Sequence, residues 1–283
     1  MSIAPMIRTD DADTAADDRF PLRRVALGHG ELAWRESGAG AALVLLHGIG
    51  GGSGSWTGQL AGLAASYRVI AWDAPGYGAS APLPQARPMA SDYAGVLAQF
   101  LRALAVDEIT LVGHSLGAIM AASWAAQPSA KLRHLVLASP ARGYASAAPQ
   151  EREAKFRERI DLIERLGIAG MAKERAARLC APGASLAAID IVRRNMARAT
   201  PGGYAQAAHM LANDDLASHL GQVRAPVAVL CGEYDAVTPP AACKAVAHAA
   251  GAPFALLAGT AHACYVEDAQ GFNGALVKFL GRT

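Results

Sequence analysis

The chain reads as an α/β fold: a mostly parallel central sheet with helices on both faces and an inserted helical cap. Three observations lead there. Short, continuously apolar runs recur at 44–46, 67–72, 109–112, 132–138, 227–231 and 254–257, the pattern of strands buried on both faces. Between several of them lie stretches with helical spacing of apolar residues, so strands and helices alternate. The strand pattern stops between residues 141 and 224 and then resumes.

Taken in order, the first strand ends in His47-Gly48 and the second in Asp73. A helix over 89–105 follows, its apolar face made by Tyr93, Val96, Leu97, Phe100, Leu101 and Leu104. The run 109–112 ends in Gly113 and leads through a short turn to a helix over 118–126, and 132–138 ends in Ser139-Pro140. From there only helical stretches are legible, over 151–166, 169–179, 185–199 and 204–211. They are separated by Gly167, Pro182-Gly183 and Pro201-Gly202-Gly203, residues that punctuate helices. The remainder reads as a strand at 227–231, a helix over 241–250, a strand at 254–257 and a last helix over 267–280. This divides the chain into a core of residues 23–140 and 225–283, a helical cap over 141–224, and an acidic, flexible leader over 1–22 that carries Asp10, Asp11, Asp13, Asp17 and Asp18.

Composition narrows the function classes. Of 283 residues, 52% are apolar, enough for a sizeable core. The net charge of +2 is nearly balanced and no Lys/Arg stripe forms, which argues against nucleic acid as a partner. No apolar stretch approaches the roughly 20 residues of a membrane span, and no basic-then-apolar signal opens the chain. The expectation is a cytoplasmic protein that acts on a small molecule, with homo-oligomerisation left open. Cys180, Cys231, Cys243 and Cys264 lack metal-ligand spacing, so no metal or cofactor is expected and the thiols read as small core residues.

The chemistry is carried by Gly113-His114-Ser115-Leu116-Gly117. The string Gly-x-Ser-x-Gly is weak alone, but here it directly follows an apolar strand and opens a helix, the setting of a nucleophile elbow. A serine needs a base. His262 follows Gly259-Thr260-Ala261 after the last strand and suits that role; His248 lies inside an Ala-rich helix and suits the surface. The acid that orients the base is read as Asp235, shortly after the strand 227–231, with Glu233 as its local competitor. A developing oxyanion needs fixed donors. These are assigned to the backbone N–H groups of Leu116 and of Ile49, the latter in a loop rich in glycine (Gly48, Gly50, Gly51, Gly52, Gly54).

Together with Asp73-Ala74-Pro75-Gly76-Tyr77-Gly78-Ala79-Ser80, these segments resemble the α/β-hydrolase superfamily over nearly all of residues 24–282. Within it the chain looks most like capped enol-lactone hydrolases, carboxylesterases and carbon–carbon (meta-cleavage product) hydrolases. The resemblance implies a Ser115–His262–Asp235 triad, and a structural turn at Asp73. It has departures. His114 stands where carbon–carbon hydrolases usually carry Asn, Ala263 where they carry Trp, and Leu116 where proline iminopeptidases carry Trp.

The resulting expectation is a serine hydrolase that cleaves a small to medium carboxylic ester or lactone through an acyl-enzyme, inside a largely aliphatic pocket under the cap. Carbon–carbon hydrolysis of a vinylogous diketone, acyl transfer and a non-catalytic binder are the alternatives. A dinucleotide site is disfavoured because Ser53 breaks the glycine pattern after Gly48-x-Gly50, and no Lys-Ser/Thr follows to make a phosphate loop. His47 is expected to anchor its loop and His114 to point away from the site. The charges over 151–159 are expected on a solvated helix face, and Arg142 and Arg193-Arg194, which could bind a substrate carboxylate, read first as ordinary surface charges.

Overall fold

Nine strands form one sheet in the computed structural model, which describes residues 7–10 and 20–281. They are β1 (Ile7–Asp10), β2 (Leu22–Leu27), β3 (Gly30–Ser37), β4 (Ala42–Leu46), β5 (Arg68–Trp72), β6 (Ile109–His114), β7 (Leu132–Ala138), β8 (Val227–Gly232) and β9 (Phe254–Leu257). Their order across the sheet is β1-β2-β3-β5-β4-β6-β7-β8-β9. Pairing from β5 through β9 is parallel, and β1, β2 and β3 add an antiparallel edge.

That edge corrects the reading of the N-terminus. Ile7–Asp10 pairs with β2, Leu22 opens β2 and Phe20 is buried in the core, so these residues belong to the folded core and not to a leader. Residues 1–6 and 11–19 of the proposed leader lie outside the described residues. The edge strands escape a search for continuous apolar runs because β2 and β3 carry Arg23, Arg24, Arg35 and Glu36 among their apolar residues. Arg23 and Arg68 both pair with Glu36, at 2.7 and 3.0 Å.

The helices are α1 (Thr57–Gly62), α2 (Ala90–Ala103), α3 (Leu116–Ala125), α4 (Pro149–Arg175), α5 (Leu186–Met196), α6 (Pro201–Asn213), α7 (Leu216–Leu220), α8 (Pro240–Ala249), α9 (Cys264–Glu267) and α10 (Ala269–Leu280). The alternation of side chains along a strand sends Val44, Leu46, Ile70 and Trp72 into one core with Phe100 of α2, Ile119 of α3 and Cys243 of α8. Leu43, Leu45, Val69 and Ala71 enter a second core with Trp56, Leu60 of α1 and Phe272 and Leu276 of α10. Both faces of the sheet are therefore covered, as a parallel sheet requires. No helix among the described residues is long and apolar enough to cross a membrane.

Helices α4 to α7 fill the interval between β7 and β8. Helix α4 is two helices joined at Gly167, whose φ of 66° and ψ of 171° break the helical path. Ser185, Thr200 and Asp215 cap the N-termini of α5, α6 and α7 through their side-chain oxygens.

Parallel strands deliver the loops at their carboxyl ends to one edge of the sheet. There β4 and α3 approach so closely that a Cβ on Gly117 would sit 2.5 Å from the Leu46 carbonyl oxygen and 2.7 Å from that of His47. Backbone atoms cannot swing aside as a flexible side chain can. We expect Gly117→Ala to destabilise the fold by at least about 1–3 kcal/mol, read as a lower unfolding midpoint in denaturant. An unchanged midpoint would contradict the packing described here.

Candidate active site

Ser115 joins β6 to α3 with φ of 52° and ψ of −116°. An L-residue other than glycine pays conformational energy at positive φ, so the surrounding bonds must hold it there. They do: the Ser115 N–H donates to the Ala138 carbonyl at 2.9 Å, and the Ser115 carbonyl accepts from Ala118 at 3.0 Å and Ala141 at 3.1 Å. The serine is buried but lines a cavity of about 420 Å³.

His262 lines the same cavity. Its Nδ1 lies 2.9 Å from Asp235 Oδ2. Asp235 is fully enclosed by donors. The backbone N–H groups of Val237 and Thr238 both donate to Oδ1 at 2.8 Å, and the Thr238 hydroxyl donates to Oδ2 at 2.8 Å. Burial raises the Asp235 carboxyl, but the hydrogen bond and charge of His262 and the bonds from Thr238 more than offset it and hold the group at about 2. An ionised Asp235 only accepts, so His262 Nδ1 carries the proton and Nε2 is left as the basic nitrogen. Ser115 and His262 are not hydrogen-bonded to each other in this structure; they share the cavity wall.

Because Asp235 is held below the ordinary value near 3.9, its contribution to stability is complete above that pH and is lost as pH falls through about 2. We expect the unfolding free energies of wild type and Asp235→Asn to differ by a constant amount above about pH 5 and to converge below about pH 4. A difference that grows towards acid would contradict the assignment.

The loop after β4 runs through Gly48 to Gly51. His47 ties it down, with Nε2 accepting from Ala74 N–H at 2.9 Å and Nδ1 donating to the Gly48 carbonyl at 2.8 Å. Burial lowers the pKa of His47, in keeping with the neutral tautomer these two bonds require. Asp73 Oδ1 accepts from Ser53 N–H at 2.6 Å and the Asp73 carbonyl accepts from the Ser80 hydroxyl at 2.6 Å, which fixes it as a turn residue. Ile49 lines the cavity and its N–H makes no backbone bond among the described residues. Leu116 is the first residue of α3, where an N–H has no carbonyl four residues earlier within the helix.

Other candidates separate cleanly. Glu233 is exposed and accepts from Gly259 N–H at 2.9 Å, away from His262. His248 is exposed on α8. Arg193 and Arg194 pair with Asp190 on the exposed side of α5, whereas Arg142 lines the cavity.

Three expectations need correction. His114 does not point away: it lines the cavity, its ring centroid lies 4.8 Å from that of His262, and its Nε2 donates to the His262 carbonyl at 2.8 Å. Burial, then the neighbouring charge of His262, lowers it to about 3, so it acts here as a neutral donor. The charges over 151–159 are not all on a solvated face, since Arg159 is half-buried and lines the cavity. Nor is the lining simply aliphatic. Met171, Leu179, Val192, Met196 and Leu211 supply apolar surface, but Arg142, Arg159, Arg175, Tyr144 and Tyr204 share it.

Sequence reasoning also missed Glu267. Its carboxylate accepts from Ala261 N–H at 2.8 Å and from Ala181 N–H at 2.6 Å, so it ties the His262 loop to the helical segment. Thr238, three residues after Asp235, closes the carboxylate's shell with its hydroxyl, and nothing in the local sequence marks it for that role.

A family model described as the alpha/beta hydrolase fold matches residues 41–161. Among curated proteins, an uncharacterized protein of Mycobacterium tuberculosis is 39% identical over 107 residues, covering 38% of this chain and 31% of that protein. The chain thus spans about a third of the length of the first curated relatives it matches. Among solved structures, a thermophilic esterase from Thermogutta terrifontis superposes with a TM-score of 0.81 at 26% identity, over 90% of this chain and 96% of that one. A hydrolase from Pseudomonas aeruginosa gives 0.81 at 28%, over 92% and 98%.

Proposed function

Taking as premise that the chain belongs to the α/β-hydrolase superfamily, we propose that it is a serine hydrolase of small to medium carboxylic esters or lactones. The observation that carries this reading is His262, which lines the cavity that holds the strained Ser115 and lies 2.9 Å from the buried Asp235. Ser115 Oγ attacks the carbonyl carbon and its proton passes to His262 Nε2. Asp235 stabilises the imidazolium and keeps the ring oriented. The oxyanion forms between the N–H groups of Ile49 and Leu116. Collapse breaks the ester C–O bond, and the leaving oxygen takes the proton from His262. Water, deprotonated by the same nitrogen, then releases the acid and restores the serine.

The helices over 141–224 act as the cap that roofs the cavity. A volume of about 420 Å³ suits a short acyl group better than a long lipid chain, and an ester's leaving oxygen asks for no assistance beyond this set. The structural likeness to the Thermogutta esterase supports the same reading. The test is kcat/KM on p-nitrophenyl acetate to palmitate beside an enol-lactone and a ring-fission dienoate, with Ser115→Ala as the blank. A peak at short or medium acyl length, or on the lactone, is expected. A preference for the dienoate above about a hundredfold, nearly 3 kcal/mol, would replace ester cleavage by carbon–carbon hydrolysis.

A further inference from the structure

The arginines of the helical cap fall into two groups. Arg157, Arg178, Arg193 and Arg194 are well exposed and pair with Glu153, Glu174 and Asp190 one turn away. Such pairs merely solvate a helix face. Arg142, Arg159 and Arg175 line the cavity instead, and among the described residues none of the three has a carboxylate partner. Among the described residues Glu151, exposed, is the one carboxylate lining that cavity.

The chain's path brings these charges together. Arg159 and Arg175 stand on the two halves of α4, either side of Gly167. Along a straight helix sixteen residues span about 24 Å, far more than the width of a compact cavity of about 420 Å³. The break at Gly167 lets both line it. Arg159 is steadied by a bond from its Nη1 to the Lys155 carbonyl at 2.7 Å. Tyr204 of α6 is buried and lines the cavity too. Burial raises its hydroxyl, the charges of Arg175 and Arg159 pull it back, and Glu158, which lies 3.9 Å from Lys155, acts in the opposite sense. Arg159, Arg175 and Tyr204 thus line one and the same cavity.

Partly buried cations without a carboxylate partner are costly to keep, and two guanidiniums and a phenol lining one cavity are suited to grip a carboxylate through charge-assisted bonds. We infer that Arg159, Arg175 and Tyr204 form an anion subsite, and that the substrate carries a free carboxylate besides the bond that is cleaved. Arg142, exposed at the cavity's edge, adds to the attraction on entry. This deepens the ester-hydrolase reading and rests on it.

The test compares half-esters with neutral diesters of the same acid: monomethyl against dimethyl glutarate, adipate and pimelate, followed by pH-stat. At one chain length the half-ester should be preferred in kcat/KM by on the order of 10 to 100-fold at low salt, and the preference should shrink as salt rises. Arg175→Gln and Arg159→Gln should each lower that ratio about tenfold or more, chiefly through KM, because a remote carboxylate is held equally in ground and transition states. Arg175→Lys should restore part of it. The ratio is taken on one protein preparation, so imperfect folding cancels. Arg178→Gln, on the exposed face, should leave the ratio as it is. Diesters cleaved as well as or better than half-esters at every length would overturn the subsite while leaving the esterase reading intact. Should no ester be cleaved, calorimetric titration of glutarate into Ser115→Ala reads the subsite directly. Saturable binding weakened by Arg175→Gln supports it, and absence of binding overturns it.

Discussion

Ser115→Ala is expected to lower kcat by about 10³ to 10⁶ while leaving the fold and substrate binding in place. In the proposed mechanism the range is large because the triad works as one unit: without the oxygen nucleophile, His262 would have no proton to accept and no acyl-enzyme would form. The fold should survive, since alanine keeps the backbone bonds that fix residue 115 to Ala138, Ala118 and Ala141. Relief of a polar, buried side chain at positive φ gives no reason for loss of stability. Residual turnover would come from the donors of Ile49 and Leu116 acting on bound ester with water as nucleophile. Steady-state kinetics on a p-nitrophenyl ester, with circular dichroism on the same sample, checks both halves. Activity within tenfold of wild type in the mutant would remove Ser115 from the chemistry.

Asp235→Asn should be nearly as damaging, with kcat down by on the order of 10⁴, and the structure says why. Oδ1 of Asp235 accepts from two backbone N–H groups, those of Val237 and Thr238. Backbone donors do not move, so the asparagine oxygen must take that position and its NH₂ must face His262 Nδ1. An amide donor there forces the imidazole proton onto Nε2, the nitrogen that has to receive the serine proton. The enzyme would be folded and holding the wrong tautomer. Asp235→Ala, which imposes no tautomer, should then be no worse than Asp235→Asn despite removing more atoms. A much more active asparagine variant would mean that Asp235 does not set the state of His262.

Sequence carries physical information in some parts of this chain and not in others. The strands from β4 to β9 were legible because a strand buried on both faces has to be apolar throughout, and residues such as Leu43 to Leu46 have no other role. The edge strands β2 and β3 were not, because Arg23 and Glu36 satisfy each other across the sheet and hide the pattern. The placement of Ser115 between a strand and a helix, and of Asp235 and His262 after later strands, was legible too. What could not be read is which way a side chain faces inside the helical segment. Arg159 and Arg157 belong to one charged run, yet one lines the cavity and the other pairs with Glu153 in solvent. That difference is set by the break at Gly167 and by the packing of α4 on α6, which are long-range outcomes. His114 was misread for a similar reason. Its acceptor, the carbonyl of His262, lies far along the chain and leaves no local trace.

The most direct test of the account is chemical. The protein is incubated with a p-nitrophenyl alkylphosphonate, which forms a stable tetrahedral adduct on an activated serine, and is then examined by intact-mass and peptide mass spectrometry. The account predicts one adduct per chain, on Ser115, formed in step with loss of esterase activity and absent in Ser115→Ala and Asp235→Asn over the same interval. An adduct on any other residue, or full activity in protein labelled at Ser115, would contradict the central claim that this serine is the nucleophile.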